Sequence, residues 1–381
     1  MNIAGIVVEY NPFHYGHLHH IKETKRITNA DVLIAVMSGH VLQRGEFSVV
    51  DKFSRTEWAL KAGVDLVIEL PGVFSLQSAD LFAYTSVALL HKLGVSDICF
   101  GSESGDILPL EKIANTLESD AYKKQLKTYL NQGKSYPTSS DLALKAISDV
   151  REYHKPNNIL GIQYIKAIQK LKSPMKVHTI KRIETNYYDT VNTETNIQSA
   201  TAIRQLHQTN QTYKNYVPKY VYETLKKTPP MQQDAFFPYI AYSLARYKAN
   251  ELNGIFGFTE GLEHLFLKHF QAKNYETLVE QLTSARYTNA KIKRNLIHML
   301  IGTRKEDIST FEPPYIRVLG MTNSGQNYLN TIKKDIEIPL ITKIEKEKHL
   351  YLQYELTITK IYDLVTQQNT FKKEFNPVII L

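Results

Sequence analysis

The sequence predicts an α/β fold, a doubly wound parallel sheet followed by a mainly helical second domain. Three observations lead there. Short strand-like runs occur at 3–8, 32–37, 64–70, 95–100 and 176–181. Helical patterns lie between them, at 14–26, 52–62, 78–93, 109–131 and 158–171. Strands separated by helices form a parallel sheet with helices on both faces, and right-handed crossovers give the strand order 3-2-1-4-5. In such a sheet a ligand sits beyond the strand C-termini where the winding reverses. Here that point lies between the first and fourth strands.

The first strand runs into the stretch that organises the rest, Val7-Val8-Glu9-Tyr10-Asn11-Pro12-Phe13-His14-Tyr15-Gly16-His17-Leu18-His19-His20. Asn11-Pro12 signals a turn, because proline disfavours helix in the residue before it. The segment after it can start a helix, with His14 and His17 on one face of the first turn. Gly16 lets a bulky group approach the backbone between them. Free N–H groups, the helix dipole and two imidazoles make a site for phosphate. Two other readings exist. The histidines could be surface residues at a helix start. Alternatively His14, His17, His19 and His20 could bind zinc, but neither a cysteine nor an obvious carboxylate completes a set, so no metal centre is expected.

After the second strand, residues 38–46 form a polar loop on the same sheet edge, a candidate for closing over substrate. In the helix that follows, Trp58 reads as packing. The single cysteine, Cys99, sits in the fourth strand as a buried structural thiol. Gly101 follows that strand, at the switch point. Asn157 and Asn158 precede an apolar helix; one could cap it while the other presents its amide to a ligand. Arg182 follows the fifth strand at the same edge, where a phosphate contact and a surface ion pair are both open readings. In Ser199-Ala200-Thr201-Ala202-Ile203-Arg204 a second helix starts, capped by Ser199 or Thr201 and again suited to an anion.

A domain boundary is expected near 200, giving domains 1–200 and 201–381. Helical patterns dominate to about 308, short strands are expected at 315–319 and 338–344 around a helix at 324–334, and 345–368 reads as helix. Residues 1–200 hold 22 Lys+Arg against 21 Asp+Glu, or +1; residues 201–381 hold 24 against 17, or +7, which together make the chain's +8. The excess suits a polyanion. In the stretch 284–294, Arg286, Lys291, Lys293 and Arg294 interleave with Tyr287, a combination that fits an RNA backbone and exposed bases. A solvated helix face is the plainer reading of such a run. No apolar stretch approaches a membrane span, the N-terminus enters a strand without a secretory leader, and one cysteine cannot form an internal disulfide. These features lead us to expect a cytoplasmic protein without a membrane partner.

The histidine stretch resembles the HxGH signature of the nucleotidyltransferase superfamily. Taken with Lys155-Pro156-Asn157-Asn158-Ile159-Leu160-Gly161 and Ser199-Ala200-Thr201-Ala202-Ile203-Arg204, it resembles the bacterial tRNA(Met) cytidine acetate ligase family along nearly the whole chain. That resemblance implies ATP as substrate, with Mg2+ carried mainly on its phosphates. It implies that residues 7–20, Gly101, one of Asn157 and Asn158, Arg182, Ser199 and Thr201 bind ATP, and that His14 and His17 act on the triphosphate. The implied reaction converts acetate to acetyl-adenylate, then acetylates the wobble cytidine of elongator tRNA(Met). Two rivals from other classes stand beside it. A small-molecule adenylyltransferase of cofactor synthesis would not need the basic second half, and a nucleotide- and RNA-binding protein would lack pyrophosphate exchange.

Overall fold

The computed structural model describes residues 1–148, 155–182, 197–345 and 349–381. Its strands are β1 (Ile3–Val8), β2 (Val32–Ser38), β3 (Val41–Leu42), β4 (Glu46–Phe47), β5 (Leu66–Leu70), β6 (Asp97–Ser102), β7 (Lys176–Lys181), β8 (Ile316–Met321), β9 (Leu340–Ile341) and β10 (Ile379–Ile380). The main sheet runs β10-β8-β5-β2-β1-β6-β7, with β9 beside β8. Within it β5-β2-β1-β6-β7 is wholly parallel and follows the predicted 3-2-1-4-5 order. Strand β1 pairs with β2 from Ile3↔Val32 to Val8↔Met37, so both strands end at one level. All of β2 and β5 is buried, as an interior parallel sheet requires.

The far side of the sheet departs from expectation. Strand β8 is antiparallel to β5, and β10 and β9 add to it in parallel. The boundary expected near 200 therefore does not divide the sheet. The chain leaves after β7, builds the helical layer, and returns to cover β5. The reason is physical: β5 is buried throughout and apolar except for Glu69, whose carboxylate pairs with Arg317 of β8, and an uncovered edge of such a strand is a template for aggregation. The helical patterns expected up to about 308 are found as helices that include Phe237–Arg246, Leu262–Lys268 and Tyr275–Leu282. The pattern at 109–131 divides into Ile107–Glu118 and Asp120–Asn131, because Ser119 caps the second helix by accepting from the Tyr122 N–H at 3.2 Å. The helix expected at 345–368 is Leu350–Thr366; positions 346–348 lie outside the described residues.

Strands β3 and β4 form a hairpin within the polar loop after β2, with Leu42 opposite Glu46. Gly45 closes it at φ +78, and a Cβ there would lie 2.5 Å from the Arg294 nitrogen. Only glycine fits both constraints. Among the described residues no helix is long and apolar enough to cross a membrane.

Candidate active site at the sheet switch point

Beyond β1 the chain turns through Tyr10 and a cis Asn11-Pro12 bond. Tyr10 and Phe13 are buried with their rings 4.8 Å apart, which anchors the turn in the core. The Asn11 side chain accepts from the Val49 N–H at 2.8 Å, and the Asn11 carbonyl accepts from Arg204 at 2.8 Å. Helix Tyr15–Thr28 follows, with His14 as its N-cap.

The two histidines form a capping box. His14 Nδ1 accepts from the Gly16 N–H at 3.0 Å, while His17 Nδ1 accepts from the His14 N–H at 3.2 Å. A nitrogen that accepts carries no proton, so in each neutral ring the proton sits on Nε2. Burial, and then Arg182, push His14 down to about 3. Burial, His14 and Arg182 hold His17 well below the usual histidine range. Both rings are thus neutral Nε2–H donors at physiological pH. Gly16 is needed for space, since a Cβ there would meet His14 Cε1 at 2.8 Å.

A cavity of about 320 Å³ opens at this point. Its cations are Arg44, Lys181, Arg182 and Arg204; its carboxylates are Glu9 and Glu46. Arg182 donates to the Asn157 side-chain oxygen at 2.8 Å. Ser199 caps helix Ala200–Gln208 by accepting from the Ala202 N–H at 3.1 Å, and Arg204 donates to Thr201 Oγ1 at 3.1 Å. Neither this helix nor Tyr15–Thr28 has an acidic residue in its first turn, so both N-termini keep their positive character for an anion. Helix Pro156–Lys170 differs, because the Glu103 carboxylate already accepts from the Asn157 N–H at 3.3 Å and the Asn158 N–H at 3.0 Å.

Of the predicted residues, Val7, Val8, Glu9, Tyr10, Asn11, His14, Gly16, His17, His19, His20, Asn157, Arg182, Ser199 and Thr201 line the cavity. Pro12, Phe13, Tyr15, Leu18, Gly101 and Asn158 are not on its wall. Pro12 and Phe13 are buried beneath the turn. Gly101 instead accommodates the Arg182 stem, whose Cγ would lie 3.2 Å from a Cβ there. The asparagine pair divides its work: Asn157 faces the cavity, while Asn158 is buried and accepts from the Glu103 N–H at 3.1 Å. Sequence reasoning missed Arg204 as a site residue, although it closed the third motif. It also missed Leu42, Arg44 and Glu46 as individual wall residues, because their hairpin had been read only as a loop. Among the described residues no group of three or more histidines, cysteines or carboxylates is placed to hold a metal ion.

The four basic residues of 284–294 lie away from the cavity wall. Lys293 pairs with Glu46 at 3.2 Å and Arg294 donates to the Gln43 carbonyl at 3.2 Å, so both clamp the hairpin. Arg286 pairs with Glu260 at 2.9 Å in an exposed ion pair, and Lys291 sits over the Tyr287 ring at 5.1 Å. Tyr287 itself is buried and donates to the Glu260 carbonyl at 2.9 Å, so its ring is not available for stacking on a base.

The HIGH Nucleotidyl Transferase family pattern matches residues 1–376. A tRNA(Met) cytidine acetate ligase of Caldicellulosiruptor saccharolyticus is 42% identical over 96% of this chain and 94% of its own. One from Bacillus subtilis is 38% identical over 97% and 93%. A crystal structure of Thermotoga maritima TmcAL bound with alpha-thio ATP superposes with a TM-score of 0.90 at 31% identity, covering 100% of both chains. Fold, histidine capping box and whole-length similarity agree: the chain belongs to the tRNA(Met) cytidine acetate ligase family of HIGH nucleotidyl transferases.

Proposed function

We propose that this protein is an ATP-dependent acetate ligase that acetylates the exocyclic amine of the wobble cytidine in elongator tRNA(Met), working in the cytoplasm. The observation that carries the proposal is the paired Nε2–H donors of His14 and His17 at the mouth of the first βα unit. They share a cavity with Asn157, Arg182, Ser199, Thr201 and Arg204. Acetate attacks the α-phosphate of ATP, and pyrophosphate leaves. The imidazoles donate to phosphate oxygens as charge develops there, while Arg182 and Arg204 neutralise it. These donors need no reorganisation during the step, because the capping box already fixes both rings. The cytidine amine then attacks the acetyl carbon and AMP leaves.

Bound magnesium would supply charge neutralisation to the triphosphate. The wall offers two carboxylates, Glu9 and Glu46, and among the described residues no group of three or more ligands is placed for a metal, so the ion would be held mainly by ATP and water. The deciding experiment combines the protein with ATP, labelled acetate and purified tRNA(Met), followed by nucleoside analysis. Labelled acetylcytidine is expected. Exchange of pyrophosphate into ATP that needs a phosphorylated metabolite instead of acetate would point to an adenylyltransferase. Intact tRNA affinity with no exchange would point to a binding protein.

The tRNA is proposed to lie along the basic second half. Lys293 and Arg294 already have partners inside the protein, which leaves Arg286 and Lys291 as the contacts in this stretch. The ion pair from Arg286 to Glu260 is exposed and therefore weak, so a phosphate can replace the carboxylate. Replacing both Arg286 and Lys291 with alanine should weaken tRNA binding and lower the slope of log affinity against log salt by about one to two. An unchanged slope in filter-binding titrations would remove both from the interface.

A further inference from the structure

The cavity has two chemically different sides. In the sheet, β1 lies between β2 and β6. Asn157 and Arg182 approach from the β6–β7 side and carry amide and cationic groups. The β2 side is formed by the hairpin, which brings Leu42, Arg44 and Glu46 to the wall beside Glu9. Nothing in the adenylation chemistry requires carboxylates there, next to an incoming acetate and a triphosphate.

Glu9 is held firmly. Its Oε1 accepts from the Gln43 N–H at 2.8 Å, and its backbone carbonyl accepts from the buried Arg55 at 2.7 Å. Gln43 is fixed in turn by its own side chain, which donates to the Gln77 carbonyl at 3.0 Å, and by Arg294. Phe47 exchanges two hydrogen bonds with Gln233, both at 3.2 Å, and stacks on Phe236 with ring centroids 4.0 Å apart. The hairpin is thus a rigid part of the wall. Among the described residues, the second oxygen of Glu9 takes no hydrogen bond.

We propose that Glu9 and Arg44 form the acceptor subsite, where Glu9 accepts from the exocyclic amine of the cytosine and takes its proton during acetyl transfer, and Arg44 donates to the ring carbonyl oxygen. This assignment rests on the ligase reading above. A carboxylate is the natural acceptor for the cytosine amine. Uracil presents an oxygen at the same place, which a carboxylate repels, so the pair also selects the base. In the step, the amine nitrogen forms a bond to the acetyl carbon. The bond from that carbon to the adenylate oxygen breaks, and its electron pair leaves with AMP. The amine proton passes to the Glu9 carboxylate. Burial raises the affinity of Glu9 for that proton and Glu46 adds to it, against the Gln43 hydrogen bond and the charges of Arg44 and Arg55.

The test compares two half-reactions of the full-length protein. One is acetate-dependent exchange of pyrophosphate into ATP; the other is single-turnover transfer of labelled acetate to tRNA(Met). Glu9→Gln keeps an acceptor for the Gln43 N–H but cannot take up the proton. The ratio of transfer rate to exchange rate is expected to fall by about 100-fold or more, with tRNA affinity changed by less than about threefold. Arg44→Gln, at the exposed hairpin tip, should lower the same ratio by about tenfold and leave the KM for acetate alone. An unchanged ratio in Glu9→Gln, or exchange and transfer falling together, overturns the assignment. A raised KM for acetate in Arg44→Gln moves that residue to the carboxylate pocket and overturns its role here. A parent protein that shows no acetate-dependent exchange overturns the ligase reading itself, a result read before any variant is made.

Discussion

Replacing His17 with alanine is expected to reduce acetate-dependent adenylate formation by about 100- to 1000-fold, the usual cost of losing one preorganised donor to developing charge. The substitution also removes the acceptor for the His14 N–H, 3.2 Å away, so half of the capping box goes with it. A stability loss of roughly 1 kcal/mol accompanies that change. The two effects can be separated. Glutamine at position 17 reaches back to the N-cap as it does in ordinary capping boxes, and so restores the bond to His14. It does not place an Nε2–H donor toward the phosphates. His17→Gln should therefore melt like the parent yet remain defective in pyrophosphate exchange. Affinity for tRNA should stay nearly intact in both variants, since the proposed backbone contacts at Arg286 and Lys291 lie away from the cavity and the base contacts at Glu9 and Arg44 are unchanged. Exchange restored by glutamine would mean that His17 only caps the helix.

The histidine pair was legible because its geometry is local. Three residues of separation and one turn of helix decide where His14 and His17 lie, whatever else the chain does. Strand order was legible for a related reason: alternating strands and helices, combined with a fixed crossover hand, leave few topologies. What escaped the sequence depends on distant partners. Asn157 and Asn158 look equivalent until Glu103, more than fifty residues earlier, is placed against both: the buried Asn158 oxygen accepts from the Glu103 N–H, while the Asn157 amide donates to the Glu103 carboxylate and its oxygen accepts from Arg182 at the cavity wall. Lys293 and Arg294 look like a nucleic-acid patch until the hairpin carrying Glu46 and Gln43 is placed against them. Strand β8 reads as a short strand of a second domain, and only the exposed flank of β5 explains where it goes. A run of charge in a sequence gives no sign of whether its partner is solvent, a ligand or the protein itself.

Lys52→Met is expected to destabilise the protein by about 3–5 kcal/mol, lowering the melting midpoint by roughly 5–10 °C. Position 52 opens an ordinary helical pattern, yet its ammonium is fully buried, 2.5 Å from Glu69 and 2.9 Å from Glu374. Arg317 on β8 pairs with the same two carboxylates, at 2.8 and 2.6 Å. Glu355 completes the cluster and accepts from the Gly72 N–H. Three carboxylates thus face two cations, and one of them keeps its proton. That one is Glu355, pushed up to about 8 by burial and by Glu69, while Lys52 and Arg317 hold Glu374 near 2 against the burial that opposes it. Methionine at position 52 fills the space but leaves Glu69 and Glu374 sharing one cation. Between the ordinary glutamate range and about pH 8 the folded state holds a proton on Glu355 that the unfolded chain has lost, so Glu355 makes stability fall as pH rises through that window. Glu355→Gln should remove this slope without the collapse caused by Lys52→Met; equal losses from the two variants in thermal denaturation would mean that shape, and not charge balance, holds the cluster together. The cluster also reaches the site. One turn further along the same helix, Arg55 donates to the carbonyls of Glu9 and Ser38 at 2.7 and 3.0 Å, tying together the ends of β1 and β2. Losing the anchor at Lys52 should therefore loosen the carbonyl clamp behind Glu9, and Lys52→Met should lose acetyl transfer at temperatures below those at which it melts.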